Sequence, residues 1–340
     1  MVRSEQQILI TGCYRSGTEY ITLLLNNHPK LSASMYVVSF LRFCYDRYNP
    51  VEVESNYKRL LEDAAQRIRT RYGRELHVEK IIAYCGKTKA VTYSLLYDLM
   101  MADLFLSDNV RRWAEKVQLV WTKIPVFLKM FPAGKVIHIV RDPRSVLASF
   151  KKITYAPKPG YLGAIFNCFD SMKKGVQYKK EHDPNCYYLL KYEDLIASPK
   201  ANVIALFNFL GLSSDHDLLS EEGWKDPSGK PWSHNSAFAG ENQQQHQFDV
   251  KASVDRWKEN LAPWEISTCE TINSDLMRHY GYEMSGTPAA SEDLLRSQFS
   301  TDQLARYFSR WQTKREGVEE FPTDPLNPAN WTENAMEQKR

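Results

Sequence analysis

No stretch of this 340-residue chain is apolar over anything near the ~18 residues that a bilayer-spanning helix needs. The opening Met1-Val2-Arg3-Ser4-Glu5-Gln6-Gln7 lacks the apolar core of a signal peptide. Cysteine is sparse and scattered, at positions Cys13, Cys44, Cys85, Cys168, Cys186 and Cys269, with no CxxC pair and no Cys/His spacing suited to zinc. These absences predict free thiols, a cytoplasmic location, no membrane partner and no metal centre. An excess of one charge is missing too. With 44 basic and 41 acidic residues the net charge is +3, which excludes nucleic-acid binding by bulk attraction and leaves room only for a local anion pocket.

What is present is ordinary for a globular α/β protein: 43% hydrophobic residues, 25% charged, and no internal repeat. The length allows one large domain or two small ones. Ile8-Leu9-Ile10-Thr11 reads as a buried strand, and Ser16 to Asn27 as a helix with Tyr20, Ile21, Leu24 and Leu25 on one side. Further strands are expected at Gln118–Trp121, Val136–Val140 and Tyr187–Tyr192. Asp142 and Pro143 are placed to cap and begin a helix, and another runs from Ser198-Pro199 to Leu210 before Gly211. Short apolar strands alternating with helices predict a central parallel sheet in a three-layer fold. Residues 39–114 are helical and aromatic in texture and read as a cap insertion over the acceptor. Residues 213–251 are loop-like, and Glu265–Tyr280 is a closing helix. The division expected is a main domain over residues 1–284 and a C-terminal extension over 285–340. That extension combines an amphipathic helix at Thr301–Lys314 with a Pro-rich tail.

Between the first strand and helix lies Thr11-Gly12-Cys13-Tyr14-Arg15-Ser16-Gly17-Thr18-Glu19. Its glycine spacing is that of a P-loop, which cradles phosphate with backbone N–H groups at a helix N-terminus. The lysine that should follow Gly17 is absent. NTP chemistry thereby loses a phosphate cation and a metal-binding hydroxyl. A 5′-phosphosulfate needs neither, and Arg15 can reach across the loop to it. A second strand–turn–helix, Val136 to Ser149, places Arg141 at the strand end and Ser149 eight residues on. A guanidinium held there suits a separate phosphate, because a charge-assisted fork supplies both energy and geometry.

Together, Tyr14-Arg15-Ser16-Gly17-Thr18 and Arg141-Asp142-Pro143 through Ser149 resemble the nucleotide fingerprints of sulfotransferases that use 3′-phosphoadenosine-5′-phosphosulfate (PAPS), in particular bacterial and Golgi members with an RSGT loop. The resemblance spans Ile8 to Tyr282. It implies a P-loop-type fold, PAPS as donor and adenosine 3′,5′-bisphosphate as product. It also implies donor binding by Arg15, Ser16, Gly17, Thr18 and Glu19 at one end, and by Arg141 and Ser149 at the other. Lys191-Tyr192-Glu193-Asp194-Leu195 is similar to a family segment whose tyrosine, here Tyr192, lies near the adenine. Asn235-Ser236-Ala237-Phe238 and Ser253–Lys258 resemble later segments and implicate Ser236 and Arg256. Lys123, in Trp121-Thr122-Lys123-Ile124-Pro125, resembles the family lysine that reaches the transferring group, and is assigned to catalysis with Arg15.

No carboxylate falls in Leu31–Val38, where Golgi-type members usually carry their basic glutamate. Tyr36, His77 and Asp46 are the candidate substitutes, and the base stays unassigned. The expected acceptor is a small molecule with a hydroxyl or amine, such as a secondary metabolite, received between cap aromatics including Phe40, Phe43, Tyr45, Tyr48 and Tyr84. A P-loop kinase and a non-catalytic nucleotide-binding protein remain as alternatives.

Overall fold

A computed structural model describes residues 3–153, 159–222, 224–225 and 252–320. Five strands, β1 (Gln6–Gly12), β2 (Leu31–Met35), β3 (Arg112–Lys116), β4 (Lys135–Val140) and β5 (Tyr187–Lys191), form one all-parallel sheet in the order β2-β3-β1-β4-β5. Successive side chains face opposite sides of a strand, and the core divides accordingly. Ile8, Ile10, Ala114, Ile137 and Ile139 pack beneath α1 (Thr18–Leu25). Leu9, Trp113 and Val136 face the larger layer on the opposite side.

The helical stretch begins after β2 with α2 (Phe40–Phe43), α3 (Glu54–Tyr72), α4 (Val78–Cys85) and α5 (Tyr93–Phe105). The insertion therefore follows a second strand rather than the first βα unit, and its expected last residues, Arg112 to Ala114, belong to β3. The strand expected at Gln118–Trp121 is displaced in the same way. Gln118 to Val120 form an irregular turn, held beside the first strand through Leu119 N–H and Gly12 O at 3.2 Å. Trp121–Lys123 is a single 3₁₀ turn leading into α6 (Ile124–Met130). Beyond it come α7 (Pro143–Ile153), α8 (Gly163–Glu181), α9 (Tyr192–Ala197) and α10 (Pro199–Leu210), whose Gly211 stop has φ 63°. Then follow α11 (Ala252–Asp255), α12 (Trp257–Asn260), α13 (Pro263–His279), α14 (Glu292–Gln298) and α15 (Asp302–Lys314). The α14–α15 pair is stitched to the large layer by Leu295, Phe299, Leu304 and Phe308.

Two buried charges hold the loop that leaves β2. The Glu115 carboxylate accepts from the backbone N–H of Val38 at 3.1 Å and of Ser39 at 2.6 Å, and from the Tyr97 hydroxyl at 2.6 Å. Arg67 donates to the Val37 oxygen at 2.6 Å and to the Val38 oxygen. Both side chains are inaccessible to water. The loop tolerates left-handed backbone at Tyr36 (φ 66°) and Ser39 (φ 47°), conformations that cost a non-glycine residue energy and persist where the surroundings over-determine them. Glu115→Ala leaves the Val38 and Ser39 N–H groups and the Tyr97 hydroxyl without the carboxylate that accepts from them. It is expected to lower stability by about 3 kcal/mol in urea unfolding.

Candidate functional site

All five strands are parallel and end at the same edge of the sheet, and the loops leaving β1, β3, β4 and β5 meet there, as expected for ligand sites of open parallel sheets. The β1–α1 loop is pulled tight by Ser16, whose hydroxyl donates to the Cys13 oxygen at 2.7 Å. Arg15 (φ 64°) and Gly17 (φ 99°) both adopt left-handed backbone. At Gly17 the need is double, since a Cβ would also fall on the Tyr192 ring, 2.6 Å from Cε2. Thr18 is buried and accepts from the Gln118 amide at 3.0 Å.

Arg15 and Arg141 lie in one cleft. Arg141 donates to the Arg15 backbone oxygen at 2.8 Å, and Arg15 Nε donates to the Ser149 hydroxyl at 3.0 Å. The Arg141 guanidinium stacks 4.4 Å over the Tyr192 ring, and its other terminal nitrogen donates to the Ser253 oxygen at 2.6 Å. The Tyr192 hydroxyl meets Ser253 Oγ at 3.0 Å. Ser145 Oγ donates to the Val254 oxygen at 2.8 Å, and Trp257 lies under Arg144, 3.9 Å from the guanidinium carbon to the ring centre. The segment from Ser253 to Trp257, which carries Arg256, therefore crosses the cleft. Asp142 caps α7 as anticipated, accepting from Arg144 N–H at 2.8 Å. Ser236 lies outside the described residues.

A sequence profile of the sulfotransferase family matches residues 7–217, which takes in this cleft apart from the crossing segment. The chain belongs to the sulfotransferase family. Among family relatives, it is 34% identical over 101 residues to an omega-hydroxy-beta-dihydromenaquinone-9 sulfotransferase of Mycobacterium bovis, covering 26% of this chain and 26% of that protein. It is 26% identical over 172 residues to mouse carbohydrate sulfotransferase 4, covering 43% of this chain and 41% of the other. The matched parts thus span about a quarter to two fifths of these relatives' length. The sulfotransferase domain of a Synechococcus olefin synthase superposes with a TM-score of 0.52 at 18% identity, over 83% of this chain and 97% of the domain. The sulfotransferase domain of the curacin biosynthetic pathway gives 0.51 at 16%, over 83% and 99%. These two share the fold.

Within this family member the loop carboxylate, Glu19, belongs to a buried network. It accepts from the Tyr36 hydroxyl at 2.5 Å and pairs with Lys116 at 3.2 Å and Arg15 at 3.7 Å. Burial alone would push its carboxyl up, but Lys116, Arg15 and the Tyr36 hydrogen bond outweigh it and hold the pKa at about 2. Lys116 is itself inaccessible and sits 3.5 Å above the Tyr36 ring; burial brings it down to about 8, against the pull of Glu19. At neutral pH the pair is ionised. Nothing in the sequence pattern singled out Lys116. The available signal was an adjacent Glu115-Lys116 in a stretch otherwise fit for a strand.

The candidate bases fare differently from expectation. Burial and the neighbouring Glu19 charge raise the Tyr36 hydroxyl well above its ordinary range, so it is a proton donor to Glu19 and not a base. His77 is exposed at the start of α4, with Nδ1 3.0 Å from Asp103. Asp46 is exposed and accepts from Asn49 at 2.5 Å. Lys123 stands in the 3₁₀ turn rather than at a strand end, 5.6 Å from the Tyr45 ring centre. Phe40 and Phe43 are buried in the core, whereas Tyr14, Tyr45, Tyr48 and Tyr84 are half-buried against it.

Lys116→Met should remove the nearer of the two cations beside Glu19, leaving Arg15 at 3.7 Å, and cost about 3 kcal/mol in urea unfolding. The double variant E19Q/K116M should recover part of that loss, because the carboxylate that Lys116 balanced goes with the glutamate.

Proposed function

We propose that this protein transfers a sulfuryl group from PAPS to a hydroxyl or amine of a small molecule, releasing adenosine 3′,5′-bisphosphate. The observation that carries the reading is the joined arginine cleft. Arg141 is 8% exposed, is gripped on two sides by backbone oxygens, and keeps its buried Nε without a hydrogen-bond partner among the described residues. A buried guanidinium with a spare donor suits an anion that arrives with its own oxygens.

In this reading Arg15, Ser16, Gly17 and Thr18 hold the 5′-phosphosulfate, with Glu19 orienting Arg15 from below. Arg141 and Ser149 take the 3′-phosphate, Tyr192 supports Arg141, and Arg256 joins from the segment that crosses the cleft. The acceptor atom forms its bond to sulfur as the bond from sulfur to the 5′-phosphate oxygen breaks, the electron pair departs on the phosphate, and the acceptor's proton is lost to water. Such in-line transfer asks the protein mainly for positioning and for charge against the leaving group. Arg15 supplies that charge at the loop, and Lys123 supplies it at the sulfuryl oxygens.

The acceptor side is read at the half-buried aromatics Tyr14 and Tyr45 beside Arg42 and Lys123; Arg42 donates to the Tyr14 hydroxyl at 3.2 Å. Aromatic walls with few polar groups suit a flat or ring-containing secondary metabolite. The two relatives named above act, by their names, on a menaquinone derivative and on carbohydrate, and of these the aromatic walls favour the former kind. Six free cysteines, five of them buried, fit a reducing cytoplasm, and no helix among the described residues is long and apolar enough to cross a membrane. Among the described residues no group of three or more His, Cys, Asp and Glu side chains is placed to hold a metal ion.

A thermal-shift titration tests the donor. Adenosine 3′,5′-bisphosphate should stabilise the protein and Mg-ATP should not; the reverse result points to a kinase-like enzyme and ends the proposal. Arg141→Ala should weaken binding of the bisphosphate by roughly 1.5–3 kcal/mol in calorimetry, the scale of hydrogen bonds to a charged group. Lys123→Ala should reduce turnover of radiolabelled PAPS more than donor affinity, and equal losses would contradict its role.

A further inference from the structure

Beyond α15 the chain turns back across the molecule. Arg315 takes left-handed backbone (φ 50°), and Gly317 and Val318 are buried against α8. A Cβ on Gly317 would collide with the Phe166 oxygen and come within 2.8 Å of the Asp170 Cβ, so only glycine lets the backbone lie this close. Val318 N–H donates to the Phe166 oxygen at 3.2 Å, and the Asn167 amide donates to the Val318 oxygen at 2.9 Å and to the Glu320 oxygen. Glu319, fastened on both sides, accepts a hydrogen bond from the Thr122 hydroxyl, next in sequence to Lys123. On the other side of Thr122, Trp121 Nε1 donates to Asp170 on α8 at 2.7 Å. The turn bearing Lys123 is thus tied twice, once to α8 and once to a segment that lies beyond the region matched by the family profile.

We propose that this C-terminal segment is a working part of the site, in which Glu319 is a positioning residue that fixes the Trp121–Lys123 turn and offsets the charge of Lys123 at the sulfuryl end. The inference rests on the donor reading above. Burial lifts the Glu319 carboxyl to about 7, with the Thr122 hydrogen bond and the Lys123 charge opposing and the Asp170 charge adding to the rise. The titratable and charged groups that face it are Lys123 from the turn, and Asp170 and Tyr178 from α8. Above about pH 7 Glu319 is ionised and counters Lys123. Below it Glu319 is neutral, and the lysine charge is unopposed.

PAPS presents sulfuryl oxygens to Lys123 and adenosine 3′,5′-bisphosphate does not, so the ratio of their affinities reports the state of this end without any acceptor. Calorimetric titration of the 340-residue chain with each nucleotide should show the ratio shifting toward PAPS as pH falls from about 8 to about 6. The nucleotide phosphates titrate in the same range, and Glu319→Gln, which carries no ionisable group, removes their contribution by comparison. The excess shift in the wild type should be about fivefold, the scale of one charge acting at about 4 Å through water. Glu319→Asp should restore part of the pH dependence, which a purely structural contact would not require. Gly317→Val, which lifts the segment from α8, should flatten the ratio as Glu319→Gln does. If both nucleotides bind and Glu319→Gln follows the wild type across the range, this proposal alone falls. If neither nucleotide binds the wild type, the donor reading falls and takes it along.

Discussion

Two neighbouring residues at the end of the interior strand β3, Glu115 and Lys116, are both ionisable and both withdrawn completely from water, and burial pushes the Glu115 carboxyl up. Consecutive strand residues point to opposite faces, and here each face has a different task. Glu115 gathers backbone N–H groups of the loop after β2, while Lys116 meets Glu19 in the first turn after the phosphate loop. One short strand therefore fixes the loop after β2 and the loop after β1 relative to each other. Isolated charges at these depths would cost several kcal/mol each. They persist because every one of them is paired or hydrogen-bonded, and the arrangement stands or falls as a unit.

The arginine cleft follows a related logic. Two guanidinium side chains are brought close by a main-chain contact, Arg141 to the Arg15 oxygen, and are partly satisfied by Ser149, Glu19 and the Ser253 oxygen. Bringing like charges together in a partly dry pocket is unfavourable unless neighbouring dipoles and counter-charges pay for it, and the remaining positive potential favours a ligand with several negative charges. The carboxylate beneath the loop keeps that potential in check, because Glu19 stays ionised throughout the range in which proteins work.

Much of this was readable from residues alone where function uses the backbone. Gly12 and Gly17 show in the sequence because a tight strand-to-helix turn needs their conformational freedom, and Arg141-Asp142-Pro143 shows because a cap and a first-turn proline carry strong local preferences. The reading failed where a local rule was overridden by tertiary pairing. β3 was missed because Arg112-Trp113-Ala114-Glu115-Lys116 has charges at its end, and the apolar run after it drew the assignment to Gln118–Trp121. That slip also put Lys123 at the end of a strand. β2 was missed because Leu31-Ser32-Ala33-Ser34-Met35 offers small polar residues in place of β-branched ones. The base candidates were chosen by type and neighbourhood, and neither reveals that Tyr36 is locked onto Glu19 or that His77 faces water. Glu319 was beyond reach, since nearly 200 residues separate it from its partner Thr122.

The segment that crosses the cleft touches Arg141 and Ser145 through the carbonyl oxygens of Ser253 and Val254. Carbonyl oxygens are supplied by every amino acid. The grip on these two side chains is therefore indifferent to which side chains occupy the crossing, provided the backbone keeps its path. Drift in the letters of this stretch would leave that hold intact, whereas an inserted or deleted residue, which shifts both oxygens at once, would release it.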